Sequence, residues 1–300
     1  MKEKLTFSFI LIIIIAGISG CTTPLGDFEY TGDKDPITVS KSTHTVVMLD
    51  FHVAVGSITL YNEPNANYLV YIENEVSIRE GSGGTLEAAE EVTYSEVDSE
   101  TMKVQFDSQD EGIRVDYSYE INITVGTNIT LVIDLTAITG KVFTIITDKG
   151  IHISSLDLES STGAVQLELK HVQFSDASPT IKTETDWIIV NLEDINCTGS
   201  TAWSISGSTG NINVDVKSYY GNDPLSHIFS ISASTGSISV ETRLTPEIGL
   251  KITTSVSTGS ITIPGGGETY SSANFDSAST KYYFDLSTST GDIKFTESIH

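Results

Sequence analysis

Histidines and clustered carboxylates are the residues of this sequence that could hold a metal ion or carry catalysis. The six histidines are not at metal-ligand spacing from one another, although His44 and His52 could meet across neighbouring strands. Asp107, Asp110 and Glu111 lie in a turn-like stretch, where carboxylate oxygens suit a hard cation such as calcium. Solvated surface charge explains this cluster more simply. We therefore predict no metal centre and no cofactor, with a loose calcium site as the alternative.

The short motifs of common enzymes are missing from the sequence. It has no G-x-S-x-G turn for a nucleophilic serine, no H-E-x-x-H or C-x-x-C motif, and no G-x-G-x-x-G or Walker loop for nucleotides. We therefore predict that the protein is not an enzyme. The alternative is an extracellular polysaccharide-active enzyme, because such enzymes can be built on β-helices and require convergent carboxylates.

A cysteine near the start of the chain lies in a pattern with a defined chemistry. The apolar run from Leu5 to Ala16 is short for a transmembrane helix and has the length of a signal-peptide core. It leads into Ile18-Ser19-Gly20-Cys21, which resembles a lipobox, where small residues fit the peptidase and the thiol forms a thioether to lipid. We predict a signal peptide over 1–20, and a lipidated Cys21 with a polar tether over 21–42.

This pattern also predicts where the protein is located. The mature chain is expected outside the cell and anchored to the cell membrane through its N-terminal lipid. An uncleaved N-terminal helix is the alternative anchor, and it would place the rest of the chain on the same side of the membrane.

The chain is strongly acidic, which limits its partners. Its formal net charge is −24, from 16 Lys and Arg against 40 Asp and Glu. Such a surface repels the phosphates of nucleic acids and the headgroups of anionic lipids. We therefore predict no nucleic-acid partner, and membrane contact only through the N-terminal lipid.

Three N-x-Thr sequons could be glycosylated on an exported protein, and they begin at Asn122, Asn128 and Asn196. The remaining cysteine, Cys197, falls inside the third sequon. It has no disulfide partner once Cys21 is acylated, and we predict a small buried or half-buried residue rather than a nucleophile.

An internal repeat dominates the second half of the chain. The tripeptide Ser-Thr-Gly occurs five times, each time followed by apolar residues two and four positions after the glycine. Asp186 replaces the glycine in one weaker copy, and an early copy surrounds Gly56. Successive turns are 23–26 residues apart, except for the last interval of 32. The predicted turn glycines are Gly140, Gly163, Gly210, Gly236, Gly259 and Gly291.

The spacing of the apolar residues predicts a bend at each turn. Apolar residues stand at odd offsets before the glycine and at even offsets after it, so a flat strand would point one set outward. The chain must therefore bend at Ser-Thr-Gly, where glycine tolerates positive φ and the hydroxyls can satisfy freed backbone groups.

A period of this kind predicts an all-β, single-chain β-solenoid, β-helix-like, with repeats of about 23 residues. We expect the Ser-Thr-Gly solenoid over 136–300 and a β-rich N-terminal part of the same domain over 43–135. In sequential stacking, Ile212, Ile238 and Ile261 should form one ladder of core side chains.

Two repeats are longer than the others, and insertions in solenoids often lie on a binding face. Their aromatic, amide and acidic residues could contact sugars, although ordinary turns are the simpler explanation. The candidate contact residues are Tyr219, Tyr220, Asn222, Asp223, Glu268 and Tyr270.

The layout resembles the putative-adhesin family of prokaryotic envelope proteins, a domain of unknown function. The resemblance is carried by the N-terminal anchor, an early Gly56-Ser57-Ile58 strand and the repeated Ser-Thr-Gly-x-Ile-x-Val units, and it covers about residues 43–295. It implies a β-solenoid at the cell surface. We expect a non-catalytic binding or envelope-scaffold protein, whose partner is a surface polysaccharide or another envelope protein.

Overall fold

The computed structural model describes residues 27–41, 43–108, 116–176, 178–218 and 225–299, and its regular elements are almost all strands. Within these residues one short 3-10 helix occurs, at Leu86–Ala88, and no helix is long and apolar enough to cross a membrane. The all-β prediction is confirmed. The predicted signal peptide, Cys21 and the contact residues from Tyr219 to Asp223 lie outside the described residues.

The structure has 23 strands among the described residues. In chain order they are β1 (Phe28–Ser40), β2 (Val46–Asn62), β3 (Tyr68–Arg79), β4 (Thr93–Glu96), β5 (Thr101–Asp107), β6 (Tyr117–Val125), β7 (Ile129–Thr139), β8 (Val142–Ile146), β9 (Ile151–Thr162), β10 (Val165–Lys170), β11 (Gln173–Phe174), β12 (Thr180–Thr185), β13 (Ile188–Glu193), β14 (Asn196–Cys197), β15 (Thr201–Thr209), β16 (Ile212–Ser218), β17 (Ser226–Thr235), β18 (Ile238–Leu244), β19 (Gly249–Thr258), β20 (Ile261–Thr262), β21 (Thr269–Ser271), β22 (Lys281–Thr290) and β23 (Ile293–Ile299).

Two parallel ladders run through the molecule and make it a β-solenoid, as predicted. The strands before each turn form the pre-turn sheet, in the spatial order β5–β2–β7–β9–β12–β15–β17–β22–β19. The strands after each turn form the post-turn sheet, in the order β6–β2–β8–β10–β13–β16–β18–β23–β20. β2 belongs to both sheets because it bends at Gly56.

The stacking order differs from the chain order at both ends. The β22–β23 coil is inserted between the β17–β18 coil and the β19–β20 coil. The expected ladder of Ile212, Ile238 and Ile261 is therefore wrong in its last step, because Ile293 lies between Ile238 and Ile261. The long connection before β22 gives the chain enough length to pass the last coil and return. At the other end of the stack, β2 comes first in the sequence but is not outermost. It is covered by β5 in the pre-turn sheet and by β6 in the post-turn sheet.

Antiparallel strands cover both ends of the stack. β3 pairs with the edge of β6 and β1 pairs in turn with β3, while β4 pairs with β5. At the far end β21 pairs with β19. Covering an edge strand in this way protects it from pairing with other chains. The prediction of a polar tether over 21–42 is wrong for Phe28–Ser40. These residues form β1, and Val39 is buried.

The turn glycines stack in one column along the molecule, and their backbone conformation explains why glycine recurs at the turns. Every predicted turn glycine has φ between +119° and +152°, the region that favours glycine. The coils also touch here, because a Cβ on Gly140 would lie 1.4 Å from the carbonyl oxygen of Gly56. The neighbouring threonines satisfy freed carbonyls, as predicted: the Thr162 hydroxyl donates to the carbonyl of Ile138 at 3.2 Å.

Aliphatic and aromatic rows fill the space between the two sheets. The residues two positions after each turn are buried along the stack, except for the half-buried Ile261 in the last coil, and Val142, Val165 and Ile188 are fully inaccessible. A row of aromatic rings runs parallel to this ladder, with centroid separations of 5.1, 5.8 and 4.8 Å. Its members are Phe174, Trp203, Phe229 and Phe284. Each fully buried side chain of this size contributes roughly 1.5–3 kcal/mol to folding.

Candidate functional site

Glu268 and Tyr270 are the candidate contact residues that the structure describes, and hydrogen bonds hold the loop at Glu268. The backbone carbonyl of Glu268 accepts the N–H of Thr254 at 2.8 Å and its hydroxyl at 2.9 Å. Tyr270 is half-buried against the core, and burial with a hydrogen bond to Glu297 raises the pKa of its phenol. The Glu268 side chain is exposed. A ligand role for these two residues stays a prediction.

The predicted modification sites lie on strands and turns. Asn128 and Asn196 are exposed, whereas Asn122 is half-buried in the outer face of β6. Burial raises the pKa of the Cys197 thiol to about 12, which leaves it protonated and unreactive at neutral pH. Glycosylation of the three asparagines stays a prediction.

The structure does not bring His44 and His52 together, because His44 lies two residues before the start of β2 and His52 lies further along that extended strand. His52 instead joins a charged group on the outer face of the pre-turn sheet. Its Nε2 lies 2.9 Å from Asp50 Oδ1 and 3.9 Å from Asp134 Oδ2, and Lys103 Nζ lies 2.6 Å from Asp50 Oδ2. Sequence reasoning missed this group, whose only local signal is the i, i+2 spacing of Asp50 and His52.

Three carboxylates of this group stack in register along the sheet. Asp50 pairs with Asp134, and Asp134 pairs with Asp157. Burial, joined by the charge of the neighbouring carboxylates, raises the pKa of both Asp134 and Asp157. Burial also raises the pKa of Asp50, but the hydrogen bond and charge of Lys103 outweigh it and lower that pKa overall. Asp50, His52 and Asp134 could hold a divalent cation, although Lys103 already contacts one oxygen of Asp50.

A groove lined by hydroxyl groups runs along the corner of the last four coils, on the outer side of the pre-turn sheet. We call it the hydroxyl groove; its volume is about 370 Å³, and small residues such as Gly207 and Ala233 line it between two rows of serines. The first row is Ser206, Ser232, Ser287 and Ser255, and the second is Ser208, Ser234, Ser289 and Ser257.

The hydroxyl groove follows directly from the repeat. The two rows stand four and two positions before each turn glycine, where the side chains point outward, and neighbouring coils place them about 4.8 Å apart. Lys182 occupies the first-row position of the preceding coil and pairs with Glu159, so the groove is bordered there by an ion pair. Within the two rows themselves every side chain is an uncharged donor and acceptor.

Solved structures of similar fold cover most of this chain at low sequence identity. One described as a putative cell adhesion protein from Clostridium sporogenes is 12% identical with a TM-score of 0.40, and the match covers 91% of this chain and 100% of that one. A putative adhesin from Bacteroides fragilis is 12% identical with a TM-score of 0.28, and the match covers 88% of this chain and 95% of that one.

A structure described as a putative lipid binding protein from Parabacteroides distasonis is 13% identical with a TM-score of 0.30, and the match covers 89% of this chain and 96% of that one. None of the family models or curated proteins compared with the chain matches it. The chain thus matches, over most of its length, structures described as a putative cell adhesion protein and a putative adhesin. Similarity at this level does not bear on what the chain binds.

Proposed function

We propose that this chain is a non-catalytic, adhesin-type protein of the outer envelope, anchored to the membrane through a lipid on Cys21, that binds neutral polysaccharide chains. The observation that carries the proposal is the hydroxyl groove. Its eight serines offer uncharged donors and acceptors at regular intervals along one concave surface.

The charge of the protein selects the kind of polymer. A net charge of −24 repels anionic polymers, whereas the two rows of serines carry no charge that a neutral sugar chain would have to desolvate. A hydroxyl exchanges bonds with water for bonds with a sugar at small net gain, of about 0.5–1.5 kcal/mol each. Weak contacts of this size suit a protein displayed in many copies on one membrane, where avidity raises the overall affinity.

A second function is favoured by one specific observation. Asp134 and Asp157 have raised pKa values, and raised carboxyl pKa values are typical of general acids in enzymes that cleave polysaccharides. The two carboxylates lie side by side on one sheet face, in register. The polysaccharide-active enzyme therefore remains the alternative, with these two residues as its acid and base.

The test is a binding assay with envelopes and purified polysaccharides of the source organism. The full chain in detergent is incubated with each polymer, with calcium and then with a chelator. We expect saturable binding, no shortening of the polymer, and at least a tenfold loss of affinity in Ser232→Glu, which places a carboxylate in the groove. Asn213→Glu adds the same charge on the outer face of the post-turn sheet and should bind as the parent does.

Three outcomes would count against the proposal. Equal binding by both variants would exclude the groove, and calcium dependence would move the binding surface to the acidic groups. Shortening of the polymer, abolished by Asp157→Asn, would replace the proposal with the enzyme alternative.

A further inference from the structure

A bulge in β1 opens a cavity at the end of the stack opposite to the hydroxyl groove. β1 pairs with β3 at Lys34 opposite Asn74, and the pairing resumes at Ile37 opposite Ile72. Two residues of β1, 35 and 36, therefore stand opposite the single residue Glu73 of β3, so β1 carries one extra residue in a β-bulge. Bulges of this kind recur beside binding sites, since they separate a strand from its partner without ending the sheet.

The segment 86–92 lies over this bulge and closes the cavity, which we call the cap pocket. Its volume is about 530 Å³, within the range of small-molecule sites. The apolar part of its wall is made by Ile37, Ile72, Leu86 and Val92.

The floor of the cap pocket holds a buried amide without a partner. Asn74 stands at an inward position of β3 between Ile72 and Val76, is 4% exposed and lines the cavity. Neither its Oδ1 nor its Nδ2 makes a hydrogen bond within the described residues. An unpaired buried amide destabilises a protein by roughly 1–3 kcal/mol, so an aliphatic residue would serve the fold better at this position.

The charge around the cap pocket disfavours anionic ligands. Asp33, Asp35, Glu87 and Glu91 surround the opening, and the single cation is Lys34, whose Nζ lies 3.3 Å from Glu91 Oε1. Anionic ligands are therefore excluded, and the ligand we consider is uncharged, because the amide that it must meet at the floor of the pocket is uncharged. It must carry an adjacent donor and acceptor for the Asn74 amide, a small apolar group for the aliphatic wall, and hydroxyls for the carboxylates at the opening.

We propose that the cap pocket binds an N-acetylated amino sugar through its acetamido group. The acetamido N–H donates to Asn74 Oδ1, its carbonyl accepts from Nδ2, and its methyl group packs on Ile37, Ile72 and Leu86. The sugar hydroxyls face the acidic opening. This site is separate from the hydroxyl groove, so either can be present without the other.

The test is a titration of the full chain in detergent with N-acetylglucosamine, followed by calorimetry and by saturation-transfer NMR. Glucose, which lacks the acetamido group, is the matched control ligand. We expect saturable binding at millimolar concentration, at least tenfold weaker binding of glucose, and the strongest saturation transfer at the acetyl methyl group.

Two variants locate the site. Asn74→Leu keeps the side-chain volume and removes the amide, so it should lose the binding while its melting temperature stays equal or rises. Leu86 is half-buried in the segment 86–92 that closes the cavity. Leu86→Trp should fill the cavity with the larger side chain and should also abolish binding of the sugar. Equal affinity for glucose, no saturable binding of either sugar, or unchanged binding by both folded variants would overturn the proposal.

Discussion

Replacing Asp186 by glycine should stabilise the protein. Asp186 occupies the turn position that glycine holds in the coils on both sides, and its φ is +135°. Residues with a Cβ rarely adopt this conformation, which raises the free energy of the folded state. The coils are also close here, since a Cβ on Gly210 would lie 1.9 Å from the carbonyl oxygen of Asp186.

The size of the effect follows from three opposing contributions. Relief of backbone strain stabilises by about 1–3 kcal/mol. Glycine gives the unfolded chain more freedom, which costs about 0.5–1 kcal/mol. The substitution also removes the hydrogen bond that the Trp187 N–H donates to Asp186 Oδ1 at 2.8 Å, an exposed contact that water replaces in part. The net expectation is about 1 kcal/mol, or a few degrees in melting temperature.

Thermal and urea unfolding of three variants separate these contributions. Asp186→Gly should melt above the parent, and Asp186→Asn, which keeps an acceptor, should melt close to it. Asp186→Ala keeps the Cβ and loses the acceptor, so it should melt lower, by about 1 kcal/mol of stability. If glycine lowered the stability as much as alanine does, the strain assigned to this turn would be refuted.

The remaining predictions concern a core position, a buried histidine and the order of the coils. Thr144→Val should raise the free energy of unfolding by about 1 kcal/mol in urea titrations, because the buried Thr144 hydroxyl has no hydrogen-bond partner among the described residues; a loss of stability would contradict this. Burial lowers the pKa of His227 from 6.5 to about 4, so the stability it contributes is present above pH 6.5 and falls by about 3 kcal/mol as the pH drops toward 4. His227→Phe should lack this part of the pH dependence, and identical pH profiles would refute the assignment. In a cysteine-free background, cysteines at Ser230 and Asp285 should form a disulfide under mild oxidation, whereas cysteines at Ser230 and Thr253 should not. The opposite result would mean that the coils stack in chain order.

The turns and the general fold could be predicted because each repeat carries its own signal. A glycine between two sets of alternating apolar residues indicates a bend wherever it occurs, and the structure has positive φ at these glycines, including Gly140 in the weaker copy. Asp186 could be aligned with them only through its position in the period.

The order of the coils could not be predicted, because neighbouring repeats offer nearly the same inward residues. Ile261 and Ile293 are the same residue type at the same position of their repeats, so the local sequence does not show which of them lies next to Ile238. The long connection before β22 and the pairing of β21 with β19 are features of the whole end of the stack. β1 was missed for a similar reason, since Ile37 and Val39 are a short apolar signal within a polar segment.

The candidate sites depended on the register between distant strands. Asp134 reaches His52 only because β7 pairs with β2 in one particular register. Nothing in the local sequence indicates that Asn74 is buried. Its burial depends on β1 and the segment 86–92, which cover β3 in the folded structure. By contrast, the serine rows of the hydroxyl groove are visible in the repeat, although their concave arrangement requires the bend in three dimensions.

Hydrogen–deuterium exchange of the full chain, with and without the envelope polysaccharide that it retains most strongly, tests the central claim most directly. Binding along the hydroxyl groove predicts added protection at residues 206–208, 232–234 and 287–289, three segments far apart in sequence that meet at one corner. The post-turn sheet should exchange at unchanged rates. Protection elsewhere, or none at saturating polysaccharide, would contradict the claim that this corner is the binding surface.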